Sequence, residues 1–433
     1  MLLGASVVGA AVFGTNSFFG LVALAIDTVF VLFFLRHLAF AVSAMKAGPL
    51  DAHAPLVDTG FRPFVTVMVA CKDEQAVVEG LVDSLLALDY PADLIELVVV
   101  DDGSTDGTGE LLDARAAAEP RLVVLHRGEG AGGGKSAALN LAAEWARGEI
   151  LVVFDADHEP RPDVVRRLVR HFEDPQVAAA QGRCEIRNPD DTPLTRLVAI
   201  DYYAGYLVNE YGRQSVFCLP ACGGANCALR ASALRAVGGF NVHTVTEDTD
   251  VTLRLLLTGH RVRYDVTAVD TEEAVTSLRR YWRQRYRWAR GHQQVFRDFR
   301  HSVVRGRFLT RMEKLESLMF LLAFHIPAFS AAGLALLVLT FTGVYNPGAT
   351  VDIFVLWTLL FLGPLLELGG ALLIARADRR TAFALLLFLP VFFVSIALCT
   401  KAWFDGILGR PYTWQKTKRR DDAEVAAGSG AVA

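Results

Sequence analysis

Two hydrophobic patterns divide the chain. From residue 64 to about 155, short runs rich in β-branched and aliphatic residues alternate with stretches where apolar residues recur every three to four positions. The runs are Phe64–Ala70, Ile95–Val100, Leu122–Leu125 and Ile150–Phe154, and the periodic stretches include Glu74–Leu88 and Ser136–Ala146. Continuous Val-rich strands separated by helices predict an α/β domain whose mostly parallel sheet is covered on both faces. Towards the ends of the chain the runs lengthen. Phe18–Met45 is apolar apart from Asp27, Arg36 and His37; Leu318–Val351 is interrupted only by His325; Ile353–Ile374 contains only Glu367; Thr381–Thr400 has no charge. Each is long enough to cross a bilayer as a helix, and no polar face recurs along them as it would on a core helix. Leu2–Phe13 is short for a further span, and no basic segment precedes it as in a cleaved signal peptide.

The predicted organisation is therefore an N-terminal membrane segment and linker (1–62), a central domain (63–275), an amphipathic region (276–313), membrane helices (314–404) and a tail (405–433). Arg376, Arg379 and Arg380 favour the cytoplasm, which puts the central domain there as well. A full last crossing then leaves Lys416, Lys418, Arg419 and Arg420 outside, against the same rule. Either the last segment, broken by Pro390, is re-entrant, or the tail is external.

The polar residues cluster where ligands of parallel sheets bind, beyond the carboxyl ends of the strands. The first strand runs into Cys71-Lys72-Asp73-Glu74, the second into Asp101-Asp102-Gly103-Ser104 and the fourth into Asp155-Ala156-Asp157. Three acidic strand ends on one edge predict a site for a metal and a polar ligand. The segment from Gly128 to Ser136 imitates a P-loop, but the glycine required five positions before Gly134 is Glu129. What survives is a helix N-terminus whose backbone N–H groups can approach a diphosphate, with Lys135 nearby.

Net charge adds little: 43 basic against 47 acidic residues give −4, so no general basic field points to nucleic acid. One region is locally basic. Arg279, Arg280, Arg283, Arg285, Arg287, Arg290, Arg297 and Arg300 interleave with Tyr281, Trp282, Tyr286 and Trp288, as suits an amphipathic helix at an anionic membrane surface. Apart from Arg287, these arginines are expected to meet lipid or solvent. The six cysteines form no CxxC pair, so reduced, mostly buried thiols are expected rather than zinc ligands.

Taken in order, the clusters resemble the processive family-two glycosyltransferases, the synthases of cellulose, hyaluronan, chitin oligomers and poly-N-acetylglucosamine. The matching segments are Val65–Glu74, Val100–Asp106, Gly134–Asn140, Asp155-Ala-Asp157, Gly223-Gly-Ala-Asn226 with Arg230, Thr246-Glu-Asp248, and Gln284-Arg-Tyr-Arg287-Trp288. The resemblance implies a GT-A type nucleotide-sugar-binding domain flanked by transmembrane and interfacial helices. It implies inverting sugar transfer, with Asp248 as general base beside Glu247. Asp250 is a structural competitor for that role. Asp73, Glu74, Asp102, Lys135, Asp155 and Arg287 would bind the nucleotide and donor. Gly224, Asn226, Gln284 and Trp288 would meet the acceptor, and Asp157 with Asp155 would hold Mg2+ or Mn2+.

The Trp414-Gln-Lys416-Thr417 tail resembles that of bacterial poly-N-acetylglucosamine synthases. It favours a plasma-membrane synthase with a cytoplasmic catalytic domain, which extends an exopolysaccharide from a UDP-sugar, UDP-N-acetylglucosamine first, and helps to export it. Its partners would be the growing polysaccharide, membrane lipids and, optionally, a small membrane subunit. The alternatives are a non-processive transferase that adds one sugar to a lipid, and a synthase of glucan or hyaluronan.

Overall fold

The computed structural model describes residues 14–346, except 49 and 52, and residues 353–410; for residues 15 and 353–361 only the backbone is described. The Leu2–Phe13 run, Asp352 and the Trp414–Lys416–Thr417 tail with its basic residues lie outside the described residues, as does the side chain of Trp357.

Helix α1 (Thr15–Ala47) leads into the central domain. There β1 (Val65–Cys71), α2 (Val78–Leu86), β2 (Ile95–Asp101), α3 (Thr108–Ala118), β3 (Leu122–His126), α4 (Gly134–Trp145) and β4 (Ile150–Asp155) alternate as the hydrophobic pattern predicts. They are followed by β5 (Glu159–Pro160), α5 (Val164–Val169), β6 (Val177–Ile186), α6 (Pro193–Tyr203), β7 (Cys227–Arg230), α7 (Ala231–Ala236), α8 (Glu247–Leu257) and β8 (Arg261–Glu272). The strands form one sheet in the order β3-β2-β1-β4-β7-β6-β8-β5. The first four are mutually parallel, and β7 joins β4 antiparallel. Val, Ile and Leu fill β1, β2 and β4 because both faces are covered. Leu81, Val82, Leu85 and Leu112 pack on one face, and Ala138, Leu139, Ala142, Val251 and Leu255 on the other. Burying one such side chain contributes about 1.5–3 kcal/mol.

The chain then enters α9 (Leu278–Arg305), α10 (Arg311–Leu322), α11 (Ile326–Phe341), α12 (Ile353–Ile374), α13 (Arg379–Phe383) and α14 (Phe388–Ile407). Among the described residues, three stretches are long and apolar enough to cross a membrane: Asn16–Ala47, Arg311–Phe341 and Arg379–Ile407. Their outward side chains stay apolar, with Phe341 84% and Leu386 77% exposed, which fits a hydrocarbon surround better than water. The α1 and α12 helices run the same way, Gly363 lying against Phe34 and Gly370 against Ala41. By contrast, α11 runs against α1: Leu336 meets Ala23, Ile26 and Phe30, and Tyr345 meets Phe19.

The last apolar stretch packs on the central domain at its start and on α9 at its end, an arrangement the re-entrant alternative requires. At its start Ala384 and Leu385 pack with Leu197 and Ile200 of α6. At its end Gln293 of α9 donates to the Cys399 carbonyl at 3.2 Å, and Tyr286 to Asp405 at 2.6 Å. The break is the 3-10 turn Ala384–Leu387 rather than Pro390. That proline sits in the first turn of α14, where its missing N–H has no helical partner to lose.

Candidate active site

The parallel register sets Asp101 beside Cys71 and Asp155 beside Ala70, so the three acidic strand ends do share one edge. Asp73 adopts a left-handed φ of 51°, a conformation Asp tolerates. Its Oδ1 accepts the Thr105 N–H at 2.9 Å, and its own N–H donates to Ser104 Oγ at 2.9 Å. Next to it, buried Glu74 donates its N–H to Thr108 Oγ1 at 2.8 Å. The turns after β1 and β2 are thereby stitched together.

Arg127, which the sequence reading passed over, follows β3 and pairs with Asp102; it also donates to the carbonyls of Gly132 and Gly134. It pins the Gly-rich loop to the Asp102 turn. Burial pushes the Asp102 carboxyl above its usual range, against the pull of Arg127 and Lys72. The loop is folded onto this turn so closely that a Cβ on Gly103 would stand 2.9 Å from Glu129 Cα. Lys135 does not bend back into the loop, as it would in a P-loop, but reaches across the sheet.

The Lys135 ammonium lies 2.5 Å from Asp155 Oδ1 and 3.6 Å from Glu247 Oε1, and donates to the Gly224 carbonyl at 2.9 Å. Burial disfavours its charge, but Asp155 and Glu247 outweigh that and hold the ammonium above its usual range. Asp155 is partly exposed; desolvation would raise it, yet Lys135, His158 and Arg287 keep its carboxyl below the ordinary value. Asp248 goes the other way. Burial and then the charge of Glu247 push it up to about 7, while the Thr249 N–H and Lys135 oppose the rise. Oδ1 accepts that Thr249 N–H at 2.6 Å. Oδ2 faces Gly224, where a Cβ would approach to 3.1 Å and where φ is +88°, so this position demands glycine on two counts. A carboxylate that titrates near neutrality at a site edge is suited to general base work.

Asp155, Asp157 and His158 offer ligand atoms within 4.8 Å of one another. Two hard carboxylates fit Mg2+ or Mn2+. His158 Nδ1 is held by Asp270 at 2.5 Å, and Nε2 lies 3.8 Å from Glu272. Burial would lower His158, but Asp270 and Glu272 raise it to about 10. The same negative field that holds this proton would draw a divalent cation.

The remaining sequence-predicted residues take different places. Asn226 is fully buried; its amide donates to the carbonyls of Arg183 and Ala268 at 3.0 and 2.9 Å, so it braces the loop from beneath. Asp250 is buried and bound by Arg254 and Asn241, a structural role. Gln284, Arg287 and Trp288 all lie on α9, and the charge of Arg287 reaches Asp155. Trp288 lies 4.5 Å beneath the Arg285 guanidinium, which also pairs with Asp201 at 2.5 Å. Arg290 donates to the carbonyls of Ala402 and Arg410. The expectation that Arg285 and Arg290 meet lipid or solvent is thus corrected: α9 is covered along its middle by α6 and α14. Of the six cysteines only Cys218 is exposed, and all six are free thiols.

Residues 66–238 match the profile of the family described as "Glycosyl transferase family 2". A mannosyltransferase from Pyrobaculum calidifontis, solved with GDP-Man and Mn2+, superposes with a TM-score of 0.59 over 90% of this chain and 99% of its own, at 24% identity. The fold is GT-A. Among curated proteins, a beta-monoglucosyldiacylglycerol synthase of Synechocystis is 39% identical over 60% of this chain and 54% of its own length. One from Nostoc is 34% identical over 65% of this chain and 60% of its own. A poly-beta-1,6-N-acetyl-D-glucosamine synthase of Staphylococcus aureus is 27% identical over 60% and 63%. The matches span less than two thirds of the length of these three curated relatives. The expected closeness to poly-N-acetylglucosamine synthases is not upheld: lipid glucosyltransferases match at higher identity.

Proposed function

We propose that the chain is an inverting membrane glycosyltransferase that passes one hexose from a UDP-sugar to the hydroxyl of a neutral glycerolipid, on the cytoplasmic face of the membrane. The observation that carries this reading is the position of Asp248. Its carboxylate faces the Gly223–Gly224 loop, which is built on a helical segment packed against α1 and α12. The identity to lipid glucosyltransferases, 39% against 27% for the polymer synthase, supports the same acceptor class.

Asp248 takes the proton of the lipid hydroxyl as its oxygen attacks the anomeric carbon, and the nucleoside diphosphate leaves from the opposite face. Lys135 and Arg287 face the developing diphosphate charge, where preorganised cations act most strongly. Asp155 and Asp157 would hold Mg2+ or Mn2+, which supplies further neutralisation of that charge. Asp73, Glu74 and Asp102 shape the uridine pocket, Arg127 fixing its wall. Trp288, braced by Arg285 and Asp201, would offer its ring face to the acceptor.

The Gln284–Trp288 motif favours a second reading, a polymer synthase. Release of UDP from UDP-glucose, UDP-N-acetylglucosamine and UDP-galactose, titrated against the mole fraction of dioleoylglycerol in nanodiscs, separates the two. Release that rises with dioleoylglycerol and is negligible without it supports the lipid reading. Release indifferent to dioleoylglycerol, with product growing on sugar alone, overturns it.

A further inference from the structure

The loop Leu219–Asn226 has no regular structure, yet it must keep Gly224 against Asp248. Three successive N–H groups are held by side chains from three elements. Ala221 donates to Glu210 Oε2 at 2.9 Å, Cys222 to Thr252 Oγ1 at 3.0 Å and Gly223 to Gln181 Oε1 at 2.8 Å. Gln181 and Thr252 belong to the central domain, on β6 and α8. Glu210 differs. It lies in the segment after α6 that is wound in wide π turns, Ala204–Glu210 and Arg213–Phe217. Ala204, Leu207 and Val208 of that segment pack on Phe40, Ala41 and Ala44 of α1 and on Leu368, Ala371 and Leu372 of α12.

The other oxygen of Glu210 accepts from Arg213 Nη1 at 3.1 Å. Arg213 is 2% exposed, stacks 3.9 Å over Phe320 and stands 3.2 Å from Glu316 Oε1. Glu316, also buried, is clasped by both forks of Arg36 from α1 at 2.9 and 2.8 Å. Arg36 donates further to Asn209 at 3.2 Å, and Asn209 binds Glu367, which also meets His37. One buried chain, Arg36–Glu316–Arg213–Glu210, therefore runs from the first membrane helix to the N–H of Ala221. Charges this deep are costly unless every partner is retained, and none of these groups reaches the donor edge. Wide π turns are frequent at functional sites.

We propose that Glu210 is a positioning residue: through it, the packing of α1 and α10 sets where the Gly223–Gly224 loop stands against Asp248. The proposal rests on the reading of Asp248 as the base and adds to it a mechanical link to the membrane helices. A shift of α1 against α10 moves Arg36, and with it the far end of the relay.

The test uses full-length protein in nanodiscs with UDP-glucose and dioleoylglycerol, comparing wild type, Glu210→Ala, Glu210→Gln, Glu316→Gln and the Glu210→Ala/Glu316→Gln pair. Transfer to lipid and acceptor-free hydrolysis of UDP-glucose are both expressed per UDP-binding site counted by calorimetry, so loss of folded protein cancels. Glu210→Ala should lower transfer by about tenfold or more, since small misplacements at a reacting centre are that costly. Its hydrolysis rate and UDP-glucose KM should stay within about twofold of wild type. Glu210→Gln, which still accepts from Ala221, should retain more transfer. Glu316→Gln should lower transfer in the wild type and add nothing in Glu210→Ala. Transfer and hydrolysis falling together, or additive losses in the pair, overturn the relay while wild-type turnover leaves the reaction intact. A wild type that turns over no UDP-sugar sinks the reading of Asp248 and the relay with it.

Discussion

Burial, and then the charge of Glu247, push Asp248 up to about 7 while the Thr249 N–H and Lys135 oppose the rise, and the two charged neighbours make its role testable by sign. Activity needs its deprotonated form, so kcat/KM for the donor should fall as pH drops through about 7, reporting the free enzyme. Lys135 favours the charged carboxylate. Its Nζ and Asp248 Oδ2 lie 3.7 and 3.1 Å from the point where a Gly224 Cβ would stand, and so are no more than about 7 Å apart. At an effective dielectric of ~20, that separation corresponds to about 2.4 kcal/mol. Removing the charge in Lys135→Met should therefore move the acid limb upward by about one to two pH units. Glu247 acts in the opposite sense, and Glu247→Gln should move the limb downward. The assay is UDP release over pH 5.5–9.5 in nanodiscs at subsaturating donor, for wild type and both variants. Limbs that stay in place, or that move in the same direction, would refute Asp248 as the titrating base.

Other consequences of the geometry can be checked separately. Asp248→Asn should lower kcat by about 10²–10⁴-fold, the usual contribution of a general base, while UDP still binds by calorimetry. Arg127→Ala, which frees the Gly-rich loop from Asp102, should raise the donor KM by about tenfold, with kcat less affected; an unchanged KM would contradict its role as a clamp. Arg285→Met breaks the pair with half-exposed Asp201 and the stacking on Trp288; a loss of about 1–2 kcal/mol should appear as a lower thermal midpoint in detergent. A cysteine placed at Arg410, in a background with Cys218 replaced, should react with an impermeant maleimide only from the side of the central domain. Labelling from the opposite side would contradict the re-entrant geometry of the last segment.

The sequence made the site's donor edge legible because its signals are local. β1 to β4 are mostly apolar runs, and Asp73, Asp102 and Asp155–Asp157 mark the ends of β1, β2 and β4. The mixed half of the sheet, where β6 and β8 pair in parallel beside antiparallel β7, was not legible. β6 carries Gln181, Arg183 and Glu185, and β8 alternates charges through Arg261–Glu272, so neither reads as a buried strand. Key polar side chains there are satisfied by contacts distant in sequence, Asp270 with His158 and Gln181 with the Gly223 N–H. Asn226 looked like an acceptor ligand because its motif is right, but its burial is a tertiary fact. The charges within apolar segments, Arg36, His37 and Glu367, were visible as exceptions; that Arg36 finds Glu316, 280 positions away, was not.

The central claim is that one hexose goes to one lipid. Its most direct test is mass spectrometry of the product formed from UDP-glucose and dioleoylglycerol in nanodiscs, with Asp248→Asn as control. The account predicts a single glycolipid, one hexose heavier than the acceptor and absent from the variant. A ladder of oligosaccharides, or sugar polymer free of lipid, would contradict it.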